Sequence, residues 1–208
     1  WTPSLKAPGL AANTETVVRA AADFATTNRV FAGTTGAESA LNVSENGGTS
    51  FNGEALIDNG VGNNVVDVQD VKLSADGACV FVATDDGTQL ALWKSATPIS
   101  PTSWSRIGVV TGTAGMVRLN PDWATTPAVY FLDLVAGGSS NIWYSADGGD
   151  TFATRTAPAL GIGVNIGDLG VEAARTVYLG DSAGLVWKST TGAWSWVIPA
   201  AAGNAGAP

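Results

Sequence analysis

The feature that most constrains this chain is an eight-residue frame, led by a serine, that returns at near-regular intervals. Its fullest form is Ser145-Ala146-Asp147-Gly148-Gly149-Asp150-Thr151-Phe152, and an upstream copy reads Ser44-Glu45-Asn46-Gly47-Gly48-Thr49-Ser50-Phe51. A degenerate copy runs from Ser189 through Thr191, Gly192 and Ala193 to Ser195-Trp196. A looser one opens at Ser95 and reaches Ser103-Trp104 with two extra residues, Pro98 and Pro101 falling inside it. The leading serines stand 51, 50 and 44 residues apart. That period suits one four-stranded blade per step.

The segments between the frames agree. A short apolar run precedes each serine, at 40–43, 90–93, 141–144 and 184–187, and another precedes that, at 29–32, 79–82, 128–131 and 176–179. A further run stands earlier in each repeat, as at 16–19 and 68–73, and a last one follows the frame at 51–56, 104–107, 152–155 and 196–198. Short β-rich runs bounded by Gly, Asn, Asp and Pro read as antiparallel strands, and no helical period of comparable length competes with them. The expected fold is therefore all-β: a β-propeller with four four-stranded antiparallel blades. The blades fall at about 14–57, 62–111, 112–159 and 163–200, within a single domain, or part of one, over residues 1–208 with a tail at 201–208.

An ungapped match between blades one and three supports the repeat. Residues 19–31 align on 118–130 with six of thirteen positions identical, and Phe24 and Phe31 face Trp123 and Tyr130. Residues 1–7, opening Trp1-Thr2-Pro3-Ser4-Leu5, resemble the run that begins at each frame aromatic. They read as an orphan outer strand, expected either to pair with a neighbouring chain or to mark a cut within a longer protein. The absence of an initiator Met and of a signal peptide points the same way, to a processed product or a fragment.

The serine frame resembles the Asp-box, or BNR repeat, of sialidases, sortilin-type receptors, xyloglucanases and photosystem II assembly-factor propellers. Residues 145–152 meet its pattern Ser-x-Asp-x-Gly-x-Thr-Trp/Phe in full; Asn46 and Ser50 replace Asp and Thr in the first copy, and Thr191 and Ala193 replace Asp and Gly in the last. In physical terms the pattern is a hairpin turn between third and fourth strands. The Asp or Asn accepts from nearby backbone amides, the Gly supplies φ > 0, and the closing aromatic packs back under the turn. Ser44, Asn46, Gly48, Phe51, Ser145, Asp147, Gly149, Thr151, Phe152, Ser189 and Trp196 are thus read as structural. The resemblance implies the same, since the family's boxes lie at the blade periphery, away from the sialidase active site.

Charge and composition exclude several functions. With ten Lys plus Arg against eighteen Asp plus Glu, the net charge is -8, which leaves little for a phosphate backbone or an anionic membrane to hold. No apolar stretch is long enough for a transmembrane helix. Cys79, the single cysteine, sits in an apolar run and reads as a buried, inert thiol. The chain has no His, so a Ser-His-Asp triad and His metal sites are unavailable. No cofactor is expected.

The remaining candidates are few. Arg19 and Arg118 occupy equivalent places on innermost strands, with Lys72 the counterpart between them. They form either a basic ring that holds an anion or a repeated residue that pairs with a carboxylate or faces water. Asp85-Asp86-Gly87 can contribute to a calcium site but reads mainly as a hairpin turn. Trp93, Trp104, Trp143, Trp187 and Trp196 sit at repeat positions that packing explains; Trp1, Trp123 and Trp194 do not, and exposed ones can stack on sugars. The Tyr–Glu pair and three convergent arginines of a sialidase are not evident; Tyr130, Tyr144 and Tyr178 read as packing. Asn42-Val43-Ser44 is a glycosylation sequon that overlaps the frame.

The expected role is a non-catalytic structural or assembly protein, a layer or filament subunit, extracellular or at the cell surface. Its partners would be itself or neighbouring chains through the terminal strand. Two alternatives stay open: a glycan- or peptide-binding adhesin or receptor module, and a fragment of a sialidase- or xyloglucanase-like glycoside hydrolase.

Overall fold

The computed structural model describes residues 4–5, 15–35, 40–56, 67–99, 103–112, 114–134, 141–161 and 163–198. They form four antiparallel sheets in chain order. Blade 1 contains β1 (Glu15–Ala20), β2 (Val30–Thr35), β3 (Ala40–Ser44) and β4 (Asn52–Leu56). Blade 2 contains β5 (Asp67–Leu73), β6 (Val80–Asp85), β7 (Gln89–Thr97) and β8 (Ser103–Thr111). Blade 3 contains β9 (Gly115–Leu119), β10 (Val129–Asp133), β11 (Ile142–Ser145) and β12 (Ala153–Arg155). Blade 4 contains β13 (Ile166–Ala173), β14 (Thr176–Asp181) and β15 (Val186–Ser189). Its outer edge is a single bridge between Lys188 and Val197, while Trp196 is drawn toward blade 3 by a 2.7 Å bond from its indole N–H to the Thr156 carbonyl.

The register is the same from blade to blade. Phe31 faces Arg19 and Val43, Phe81 faces Lys72 and Lys94, and Tyr130 faces Arg118 and Tyr144. One-residue offsets place Val82, Phe131 and Leu179 opposite Trp93, Trp143 and Trp187 on the other faces. Alternation on a pleated strand then sends one set forward to the next blade and the other back to the previous one.

The core consequently lies between blades. Phe31, Leu41 and Val43 of blade 1 meet Val71, Val80 and Val82 of blade 2. Phe81 and Leu92 of blade 2 meet Val129 and Phe131 of blade 3. Tyr130 and Tyr144 of blade 3 meet Leu169, Val177 and Leu179 of blade 4. Strands β3, β6 and β10 are buried at every position, whereas β14 is buried only at Val177 and Leu179. Burying each such aliphatic or aromatic side chain contributes roughly 1.5–3 kcal/mol.

Against the expectation of strands alone, the β1–β2 connection holds one helical turn, α1 (Phe24–Thr27). The Thr27 amide donates to the Asp23 carbonyl at 3.0 Å, as Thr126 does to Asp122 at 3.0 Å in blade 3. The aligned window of blade 3 keeps that bond but forms turns in place of the helix. Of the N-terminal segment, Ser4 and Leu5 are described: the Ser4 hydroxyl and the Leu5 amide both donate to the Thr49 carbonyl, at 2.9 and 2.8 Å. The rest of residues 1–7 and the tail 201–208 lie outside the described residues.

Candidate functional site

Three of the serine frames close one and the same turn. Ser44, Ser145 and Ser189 are each 1% exposed. Their hydroxyl oxygens accept the amide four residues on: Gly48 at 2.9 Å, Gly149 at 2.8 Å and Ala193 at 3.0 Å. Ser44 and Ser145 donate onward to Asn46 at 2.9 Å and Asp147 at 2.6 Å, and Ser189 lies 3.2 Å from the Thr191 hydroxyl. Those side chains in turn accept the amides of Ser50, Thr151 and Ser195. The turn is stitched to its own blade as well, by bonds from Gly47 to the Asn28 carbonyl, Gly148 to Pro127 and Gly192 to Arg175.

Charge and geometry explain the residue choices. The Ser145 and Thr151 hydrogen bonds hold the Asp147 carboxyl well below its usual range. Gly48 and Gly149 have φ of 85° and 96°, and at Gly149 a Cβ would stand 2.6 Å from Ile107 Cδ1, so that glycine also permits close packing. Ala193 takes the same left-handed conformation at φ 64°. Phe51 and Phe152 pack beneath their turns, Phe51 buried and Phe152 against the core between blades 2 and 3. The side chains that define the frame, Ser44, Asn46 and Ser50, Ser145, Asp147 and Thr151, and Ser189, Thr191 and Ser195, are engaged within their own turns.

The innermost strands β1, β5, β9 and β13 lie in succession around the axis. Here Arg19, Lys72 and Arg118 do come together, on a carboxylate that the sequence reading did not single out. Asp70, with a side chain 6% exposed, takes Arg19 at 3.0 Å on one oxygen and Arg118 at 2.6 Å on the other, with Lys72 4.0 Å away. The amides of Val71 and Val117 also donate to it, at 3.0 and 3.3 Å. Arg118 reaches Asp168 of blade 4 at 2.5 Å. Burial lowers the Lys72 ammonium pKa, a shift that the Asp70 charge opposes. Arg19 ties blade 1 to blade 2, and Arg118 ties blade 3 to blades 2 and 4, while Lys72 stands beside Asp70 on their own strand. Asp70 was missed because its partners come from three separate strands, a proximity that spacing does not encode.

Asp85 and Asp86 form the β6–β7 hairpin. Asp85 accepts from the Gly87 amide at 2.8 Å and the Gln69 amide group at 2.5 Å, and Asp86 from the amides of Thr88 and Gln89 at 2.8 and 2.6 Å. Among the described residues no three such acidic or sulfur groups converge on a cation position. Burial pushes the Cys79 thiol pKa up, in keeping with an inert side chain. The sequon Asn42 is 4% exposed and bonds to the Ala32 and Ala40 carbonyls, which denies it to a glycosyltransferase.

The aromatic candidates separate cleanly. Trp123 is 6% exposed and meets Phe81 edge-on at 5.4 Å, so it belongs to the core. Trp194 is 64% exposed, with the Arg155 guanidinium 4.8 Å from its ring. Tyr130 is fully buried and donates to the Ala174 carbonyl. Tyr178, read from the sequence as packing, donates to Glu172 at 2.6 Å.

No family model matches the sequence, and a search of curated proteins also finds none. Solved structures do resemble it. The GH74 xyloglucanase from Xanthomonas campestris superposes with a TM-score of 0.60 at 17% identity, over 82% of this chain and 28% of that one. YCF48 from Cyanidioschyzon merolae superposes with a TM-score of 0.53 at 14% identity, over 96% of this chain and 62% of that one. The fold is a β-propeller. At such identities the likeness speaks for fold alone, and the chain spans less than two thirds of either protein's length.

Proposed function

We propose that the chain is a non-catalytic structural module of Asp-box blades that works outside the cell or at its surface and assembles with copies of itself or neighbouring chains. The observation that carries the reading is that carboxylates engage the cations at the axis. Arg19, Lys72 and Arg118 are engaged with Asp70 and Asp168, so the charges best placed to grip a substrate instead tie blades together. Assembly is supported by the apolar groups left uncovered on the last blade, where Val186, Val197 and Ile198 are each at least half exposed. Sedimentation velocity over a wide concentration range tests the reading. Concentration-dependent association that Val197→Glu weakens is the expected result; a strict monomer throughout, or turnover of sialyl or β-glucan substrates, overturns it.

The second reading is a glycan- or peptide-binding module, and the exposed Trp194 favours it. Its ring, held by Arg155, offers a flat apolar face of the kind on which sugars stack. A Trp194→Ala variant that loses a ligand found on a glycan array supports this reading over the first.

A further inference from the structure

The axial ion pairs follow an alternation from blade to blade. Arg19, Lys72 and Arg118 stand opposite Phe31, Phe81 and Tyr130, and in blade 4 Gly170 takes that place opposite Tyr178. Two residues earlier on the same strands stand Val17, Asp70, Met116 and Asp168. Carboxylates thus occur in blades 2 and 4 and arginines in blades 1 and 3. Each arginine reaches forward to the carboxylate of the next blade.

Asp70 and Asp168 are therefore equivalent, yet only Asp70 has both oxygens engaged. Its Oδ1 accepts from the amide of the next residue, Val71, and from Arg19 of the preceding blade. Its Oδ2 accepts from the Val117 amide and the Arg118 guanidinium of the following blade. Oδ1 of Asp168 repeats the first half, taking the Leu169 amide at 2.8 Å and Arg118 at 2.5 Å. Among the described residues no donor reaches its Oδ2, and its side chain is 68% exposed against 6% for Asp70. The front of blade 4, the face that the other blades turn to their successors, is open as well. Tyr178 is half-buried where Phe81 and Tyr130 are fully buried. Glu172 accepts its hydroxyl, and the Lys188 ammonium lies 5.1 Å from its ring, polar partners that keep the uncovered ring solvated.

Blade 1 carries the complementary deficit. Arg19 Nη1 donates to the Val18 carbonyl as Arg118 Nη1 does to Val117, at 2.8 Å in both. Arg118 Nη1 also holds Asp70 behind it, whereas among the described residues Arg19 Nη1 holds no carboxylate. Val18 is 49% exposed where Val117 is fully buried between blades 2 and 3. Phe24 is exposed where Trp123 meets Phe81 of the preceding blade edge-on. Ala32 and Asn42, in the middle of that face, are already covered, so Val18, Arg19 and Phe24 are its free part.

We propose that the front of blade 4 docks on β1 and α1 of a second copy of this chain. Asp168 takes that copy's Arg19 as Asp70 takes Arg118, in a charge-assisted bond, and Tyr178 meets its Phe24 as Phe81 meets Trp123. This docking rests on the self-association proposed above and assigns its two faces. They are unlike, so the contact passes from copy to copy into a ring or a filament.

Two single-cysteine variants that leave the docking residues intact test it. Ala25→Cys lies beside Phe24 in α1, and Thr176→Cys lies on β14 two residues before Tyr178; Cys79 is buried. With a short bismaleimide, a covalent dimer forms when the two variants are mixed and with neither alone. By sedimentation velocity, Asp168→Asn, which leaves Arg118 on Asp70, weakens association at least tenfold. Phe24→Asp does the same, and near-ultraviolet circular dichroism shows both variants packed as the parent. A dimer from either cysteine variant alone, or a mixture that stays unlinked while the chain associates, overturns the docking. So does association that Asp168→Asn and Phe24→Asp leave unchanged. In each of those cases self-association itself stands, whereas a strict monomer at all concentrations ends both readings.

Discussion

Blades 1 and 3 share a thirteen-residue window that joins their first two strands, yet they bury it differently. Phe24 of blade 1 is 37% exposed, whereas Trp123, at the matching position of blade 3, is 6% exposed against Phe81 of blade 2. Two local bonds recur, Thr27 to Asp23 as Thr126 to Asp122, and Ala21 to Arg29 as Asn120 to Ala128. What differs is the neighbour. A repeat therefore sets the course of the backbone, and the adjoining blade sets what each repeated side chain contributes.

The sharpest way to break this comparison is to truncate both aromatics. Trp123→Ala is expected to cost about 3–5 kcal/mol by opening a cavity beside Phe81, and Phe24→Ala under about 1 kcal/mol. Urea denaturation measures both; equal losses would show that burial by the neighbouring blade is not what matters.

Glycine at the frame turns gives the next largest contrast. Gly48→Ala meets nothing within 4 Å and carries only the left-handed backbone penalty, about 1–2 kcal/mol. Gly149→Ala carries that penalty and also displaces the end of the Ile107 side chain across the blade 2–3 junction, adding about 0.5–1.5 kcal/mol. Identical denaturation midpoints for the two variants would contradict the close approach seen at Gly149.

The smallest effect is one of pH. Because hydrogen bonds depress the Asp147 carboxyl in the folded state, its contribution to stability is complete above the ordinary value of 3.8 and is lost as pH falls below it. Asn46 fills the same place in blade 1 and does not titrate. Asp147→Asn is therefore expected to flatten part of the acid limb of a stability-versus-pH curve, with no change in its slope near neutrality. An unchanged acid limb would mean that Asp147 is not held by Ser145 and Thr151 as described.

Much of the fold was legible because the repeat encodes local geometry. Ser145, Asp147, Gly149 and Thr151 lie within seven residues, so the bonds among them are short-range in the chain and appear as a motif. The strands of each blade follow in order, which makes their pairing a matter of hairpins. Asp70 carried no such mark. Its partners Arg19 and Arg118 are 51 and 48 residues away, and that meeting depends on how β1, β5 and β9 approach one another.

The amino-acid sequence by itself determined the number of repeats, the order of their strands and the chemistry of the frame turns, since all three depend on contacts between residues close along the chain. Only the tertiary structure decided which face of each blade is covered, that three repeated cations are spent on Asp70 and Asp168, and where space remains between blades. Those outcomes depend on packing between sheets some fifty residues apart. There the fit of particular side chains, rather than the pattern that repeats them, settles what touches what.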